Sequence, residues 1–454
     1  MAEAKALSVD ANNKPQEDFP LTRVPTDARY HWFSIAIMRI GQLGALSQFL
    51  LGATLGYSMS FWHAFWAFTL GAVILEIVSA FTGWIGMKEG LQTSLLARWT
   101  GFGEIGAGIA GLVVGVSIIG WFGVQNAVFA LGVQQLLGLL PVWAWSIITG
   151  AIVVFIVYHG FMTMGWTAYI AVPAFVVVML VAIGRVFAHH SFGQLVAAVP
   201  PGPHMSIATG ASLVAGGFMV GGVISPDMTR FNRSVGDVFK QTILGFTIGE
   251  YTIGMIGVLL ASALKSTNVI TLTLATTGFI GVMFVLLATV KINDFNLYSA
   301  GLGIINAIEI IFHRRLSRRK TTVVIGALGI VMSALGILNH FINFLSLLSV
   351  AIPPIASIMI VDYFFLKRQR HLLDETREEG TLPRVVERWN PVALIAWATG
   401  FVVGQQVTMG IPSINSLAAS AIVYYIGSLV VSAVRRDPQP LFSPADSSRL
   451  TVMD

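Results

Sequence analysis

What most constrains this chain is the recurrence, along 454 residues, of apolar runs long enough to cross a bilayer. A hydrocarbon core of ~30 Å takes about 20 helical residues. Twelve such runs lie near 32–57, 60–87, 103–135, 142–159, 164–188, 205–229, 238–264, 270–302, 322–340, 343–366, 391–410 and 413–434. Lipid offers no partner to a backbone N–H or C=O, so the spans must be helices that satisfy themselves. Only 11% of the residues are charged, whereas a soluble domain carries about 25%. The expected class is an all-α integral membrane protein with twelve transmembrane helices.

The cationic residues set its orientation. With the amino terminus inside, the internal loops carry Lys88, Arg98, Arg230, Arg233, Lys240, Arg314, Arg315, Arg318, Arg319, Lys320, Lys367, Arg368 and Arg370, against Arg185 and Lys265 outside. That asymmetry predicts two cytoplasmic termini in the cell's inner (plasma) membrane. The net charge of +5 is thus a topological signal and no footprint for nucleic acid. The absence of cysteine excludes disulfides and thiolate metal sites, and the histidines, His189 and His190 among them, show no metal-ligand spacing. Residues 1–30 are polar and lack the apolar core of a signal peptide, which predicts a disordered cytoplasmic tail.

Two spans are interrupted. The first, MRIGQLGALSQFLLGATLG, carries Gly41, Gln42 and Gly44 near its middle; the sixth, LVAGGFMVGGVISPDMTRF, holds two Gly-Gly pairs and Pro226. Small residues serve close helix packing, but paired breaks at corresponding places in two halves point to an inverted-repeat transporter with a midplane site. The expected organisation is a tail (1–30), a first repeat of helices 1–5 (31–188), a second of helices 6–10 (205–366), a cytoplasmic loop (367–390), helices 11–12 (391–434) and a second cytoplasmic tail (435–454).

Inside the third span stands GWFGVQN, residues 120–126. Trp121 and Gln125 are four apart and project from one helix face, with Ser117 a turn earlier. A planar heteroaromatic solute needs an aromatic plane and amides that match its edge. The run GWFGVQNAVFALGV resembles the third helix of bacterial cytosine permeases in the nucleobase:cation symporter-1 family. So do KEGLQTSLLARWTGFG, GFMVGGVISPDMTRFNR, INDFNLYSAGLGIINA and SVAIPPIASIMIVDYFF, in the family's order along the chain. The resemblance implies a five-plus-five inverted repeat with broken helices 1 and 6, and cation-driven uptake of nucleobases or related heterocycles.

Carried over by position, the resemblance puts the family's stacking tryptophan on Trp121 and its second aromatic on Phe218. Gln125 and Gln42 would read the substrate's edge, with Ser117 and backbone amides freed at Gly216 and Gly217. Cytosine permeases carry glutamine where this chain has Ile118 and glycine where it has Gln125; a glutamine at the second position is instead the pattern of the related hydantoin transporter of that family. In sodium-coupled members the ion lies between the broken first helix, here Gly41 and Gly44, and two hydroxyls on helix eight. Those two positions are Lys291 and Ile292, and neither can ligate a hard cation. A membrane lysine costs about 2.5–3.5 kcal/mol and wants a counterion, for which Asp294 and Glu250 are the candidates. These residues argue against sodium and leave a proton as candidate coupling ion.

Among the remaining charges, Asp227 and Arg230 are expected to form a structural pair, and Arg39 and Glu76 an interhelical ion pair. The reading is a secondary transporter without cofactor, working in the lipid bilayer on a small heterocycle. Its rivals are an amino-acid transporter of the same architecture and a sodium-coupled cytosine permease. No GxxxxGK[ST] loop supports ATP-driven transport, and no convergent nucleophile–base pair supports an enzyme.

Overall fold

The computed structural model describes residue 19 and residues 22–43, 46–159, 162–314 and 316–434, with only the backbone of 162–172. All twelve runs are helical: Trp32–Leu43 with Leu46–Ser58, Phe61–Glu89, Gly103–Leu137, Val142–His159, Met162–His189 and Ile207–Val223 with Pro226–Thr229, then Val235–Leu264, Val269–Phe312, Arg318–Ala334, Phe341–Ala351 with Pro353–Ile360, Pro391–Gln406 and Pro412–Val434. Short helices Thr93–Ala97, Phe192–Ala197 and Arg370–Glu378 lie between them. Local chemistry sets the ends. Ser60, Ser206, Ser234 and Asn268 accept N-cap bonds, and Gly90 and Gly138 close helices in the left-handed region.

The packing displays the inverted repeat. The second span lies along the sixth as the seventh lies along the first, the pairing that an exchange of halves requires. The third packs on the eighth and the fourth on the ninth, pairs that such an exchange maps onto themselves. Together these contacts give a mostly helical transporter fold of twelve spans with a five-plus-five repeat.

Helices in lipid gain little by hiding apolar surface from one another, so small residues that let backbones approach do the work. Gly52 sits so close to Gly254 that an added Cβ would stand 2.0 Å from the Gly254 carbonyl oxygen. One turn on, a Cβ on Gly56 would stand 2.4 Å from that of Val258. The two halves of the first span meet at 56°. Before the bend Arg39 lies against Gly245 and Leu43 against Gly249; after it Gln48 bonds Glu250. Neighbouring residues of the seventh span, Gly249 and Glu250, thus meet Leu43 before the bend and Gln48 after it, and Glu250 faces the break.

The sixth span breaks at its proline and not at its glycine pairs. Its helix runs unbroken through Gly216, Gly217, Gly221 and Gly222 to Val223, so the Gly216 and Gly217 amides are not freed. Its glycines are used for proximity instead: a Cβ on Gly216 would stand 2.4 Å from the Leu345 carbonyl. The interruption falls at Ile224–Ser225, ahead of Pro226, which lacks the N–H that would continue the helix. Hydroxyls of the second span meet the exposed groups: Thr82 donates to the Gly222 carbonyl at 3.1 Å and Ser79 to Ser225 Oγ at 2.8 Å. The tenth span is also broken, at Ile352 before Pro353, and the eighth kinks at Gly278 (φ 70°).

If the Gly52 seam holds the first and seventh spans together, Gly52→Leu should lower the thermal stability of the detergent-solubilised protein by about 1–3 kcal/mol or more. Gly184→Ala, with nothing within 4 Å of its added Cβ, should melt with the wild type. Equal melting temperatures for both variants would remove the seam from the account.

Candidate functional site

Two adjacent amides on the third span have opposite surroundings. Asn126 is fully buried and fully engaged: Nδ2 donates to the Ser146 carbonyl at 2.8 Å and to Ser333 Oγ at 3.1 Å, while Oδ1 accepts from Thr149 at 2.9 Å. It ties the third, fourth and ninth spans together. Gln125 is 3% exposed, and its Oε1 has no hydrogen-bond partner among the described residues. An unbonded buried acceptor costs about 1–3 kcal/mol, which a ligand's N–H would recover.

Trp121 is buried one turn before Gln125. Phe344 and Phe341 of the tenth span meet its ring at 5.3 and 6.2 Å, inclined at 79° and 72°. On the sixth span Phe218 meets Phe246 at 5.7 Å and 73°. Neither ring is stacked parallel on another side chain in these contacts, and the third and sixth spans touch. Ser117 donates to its own helix at Val113 and keeps only acceptor capacity. Gly217 packs toward Leu51, and Gly41 and the half-buried Gln42 occupy the last turn before the first-span bend. Gly44 lies outside the described residues.

The third and eighth spans run antiparallel, with Gly115 against Ile304, Phe122 accepting from Asn293 at 3.3 Å, and Gly132 against Leu286. Gln125 is therefore level with the segment carrying Lys291 and Asp294. Of the two candidate counterions, Asp294 pairs with Lys291 at 3.3 Å and is itself 1% exposed. Glu250 is bonded by Gln48 instead. Thr289 donates to Val285 of its own helix.

Arg39 and Glu76 do not form the expected ion pair. Arg39, fully buried, donates to Gln241 at 3.0 Å and Ser225 at 2.7 Å and lies 4.9 Å above the Phe246 ring, while Glu76 accepts from Thr247. Asp227 accepts from Thr93 N and Oγ1, both at 2.8 Å, and Arg230 Nε donates to the backbone carbonyl of Asp227. A signal for the Phe344 contact was present in Gly120, whose added Cβ would meet Phe344 at 2.4 Å.

The end of the molecule rich in Lys and Arg, its basic face, carries a network that the sequence did not suggest. Glu89, at the end of the second span, takes Arg23 at 2.9 Å, Arg377 at 2.7 Å and the Tyr363 hydroxyl. Residues 22–30, expected in a disordered tail, are held there: Val24 donates to the Gly90 carbonyl, and Tyr30 bridges to Asn232. Burial disfavours the Asp374 charge nearby, but hydrogen bonds from Arg377 and Arg370 outweigh it and hold that carboxyl below its ordinary value.

Discontinuous helices in an inverted repeat, with unstacked aromatics and an unbonded amide inside, define a secondary transporter. Residues 24–427 match the model of a family described as permeases for cytosine/purines, uracil, thiamine and allantoin. The chain belongs to that family, the nucleobase:cation symporter-1 group, whose members are transporters and not enzymes. It is 30% identical over 406 residues to the cytosine permease of Escherichia coli strain K12, covering 89% of this chain and 92% of that one. With the hydantoin permease of Microbacterium maritypicum it shares 26% over 478 residues, covering 98% and 93%. Its fold matches the inward-facing conformation of Mhp1 with a TM-score of 0.77 at 22% identity, covering 97% and 98% of the two chains.

The contrast between the amides is testable without a substrate. Asn126→Leu strands its partners and should destabilise the purified protein by about 1–3 kcal/mol. Gln125→Leu removes an unbonded group and should leave the melting temperature unchanged or higher. A loss for Gln125→Leu equal to that for Asn126→Leu would make both amides structural.

Proposed function

We propose that this protein imports a planar, nitrogen-bearing heterocycle of nucleobase type, with Trp121 and Phe218 as aromatic platforms and Gln125 reading the substrate's edge. The observation that carries this reading is the unbonded Gln125 oxygen, buried one turn from a tryptophan. Relatives named as cytosine and hydantoin permeases support the substrate class. Gly41, Gln42, Gly44, Ser117 and Gly217 are the flanking positions of the same site, and the basic face is the cytoplasmic one.

Stacking a base on an aromatic is worth roughly 1–3 kcal/mol, so Trp121→Ala should weaken binding about ten- to a hundredfold for every substrate. Gln125→Leu should instead change the ranking within a panel of purines, pyrimidines and hydantoins, because an edge contact discriminates where a stacking contact does not. Competition of radiolabelled uptake by that panel and by amino acids provides the test. Unchanged affinity in Trp121→Ala, or inhibition by amino acids alone, would reject the proposed site.

Coupling follows from the eighth span. Lys291 occupies one of the positions where sodium-coupled relatives are expected to offer hydroxyls, and Asp294 at 3.3 Å compensates its charge. The ammonium supplies in place the positive charge that a sodium ion would bring. Uptake into proteoliposomes should therefore persist when choline replaces sodium, and an inward proton gradient should stimulate it. Strict sodium dependence would reject this account of Lys291.

A further inference from the structure

Lys291 answers for the missing ion but has a fixed counterion, so a different group is needed to carry a proton through the cycle. The seventh span supplies one. Glu250 is fully buried, and its one hydrogen bond among the described residues comes from Gln48 Nε2 to Oε1 at 3.2 Å. Each partner also keeps one unbonded oxygen, Oε2 on Glu250 and Oε1 on Gln48. Two unbonded buried acceptors on an amide and a carboxyl already bonded to each other are unfavourable, and one proton corrects both: a carboxylic O–H on Glu250 donates to Gln48 Oε1 while Nε2–H donates back. Acid and primary amide then form a closed, doubly hydrogen-bonded pair.

Among the described residues the surroundings offer no other compensation. From the second span come Glu76, bonded to Thr247, and Thr69, bonded to the Tyr251 hydroxyl next along the helix. From the first span Arg39 lies against Gly245, five residues back from Glu250, and donates through Nε to Gln241 and through Nη2 to Ser225; its Nη1 has no partner, and Glu250 is not among its contacts in the described residues. From the eighth span Lys291 and Asp294 pair with one another. Arg185 and His189 stand at the far end of the fifth span, and the helix Phe192–Ala197 carries no titratable residue. A buried carboxylate with no cation beside it is strongly disfavoured, whereas a neutral acid bonded to an amide is not.

We propose that Glu250, paired with Gln48, is the proton-binding site that couples transport to the proton gradient. Its place fits that role, because Gln48 follows directly on the bend of the first span and Glu250 faces that bend. Rearrangement of the bend as substrate leaves changes what faces the pair and lets the proton go to water on the side then open. The proposal rests on the proton-coupled reading above and adds the residue that performs it.

Glu250→Gln keeps size and hydrogen bonding but holds no exchangeable charge. Reconstituted Glu250→Gln should still exchange external for internal labelled substrate, yet lose accumulation driven by an imposed proton gradient, which the wild type shows. Accumulation by Glu250→Gln equal to the wild type overturns the assignment alone, whereas a wild type indifferent to the gradient overturns the proton-coupled reading with it. A second measurement on purified wild type needs no variant: cytosine or hydantoin affinity should fall as pH rises, with a proton taken up on binding. Affinity independent of pH without proton uptake overturns the proposal.

Discussion

The structure depends on a contact between two backbones. In lipid, apolar side chains gain nothing by leaving one apolar medium for another, so spans associate where their main chains come close enough for dispersion to accumulate. The seam of Gly52 and Gly56 against Gly254 and Val258 is such a place, and it runs parallel along the first and seventh spans. This register holds on both sides of the bend, at Leu43 before it and at Gln48 after it. Groups that would be intolerable at membrane depth, Gln48 and Glu250, collect there.

The sixth span solves the same problem differently. Its interruption lies nearer the basic face and is bonded by hydroxyls, Ser79 and Thr82 of the second span and its own Thr229, which donates to the Ser225 carbonyl. Arg39 completes the arrangement by joining the first span to Ser225 and Gln241 and covering Phe246, the ring on which Phe218 rests. A guanidinium without a carboxylate partner among the described residues is held by dipoles and an aromatic face, so one side chain links the two breaks to the aromatic platform.

Much of the architecture was legible because lipid imposes length and apolarity on every span, and those are properties of sequence alone. Trp121, Gln125 and their shared face followed from a spacing of four, and the Lys291–Asp294 pair from a spacing of three. What misled was chemistry with two uses. Gly216 and Gly217 read as a helix break, but glycine serves equally to admit Leu345 and Leu51, and the break fell to Pro226. The Glu89 network, the Arg39 contacts and the Glu250–Gln48 pair join residues far apart in the chain, for which neighbouring letters carry no signal. Glu250 could be picked out as a mid-span acid, but its partner could not.

The strap of residues 22–30 has a consequence for the order of assembly. Arg23 hydrogen-bonds the Thr381 carbonyl, 358 residues further along, and its other partners include Leu373 and Thr376. Synthesis makes this segment before any of the spans, yet three of the four residues that Arg23 bonds emerge only after ten spans have been inserted. Its docking is therefore completed late, and reports that the second repeat is in place. A stretch made ahead of every span is the stretch that seals them.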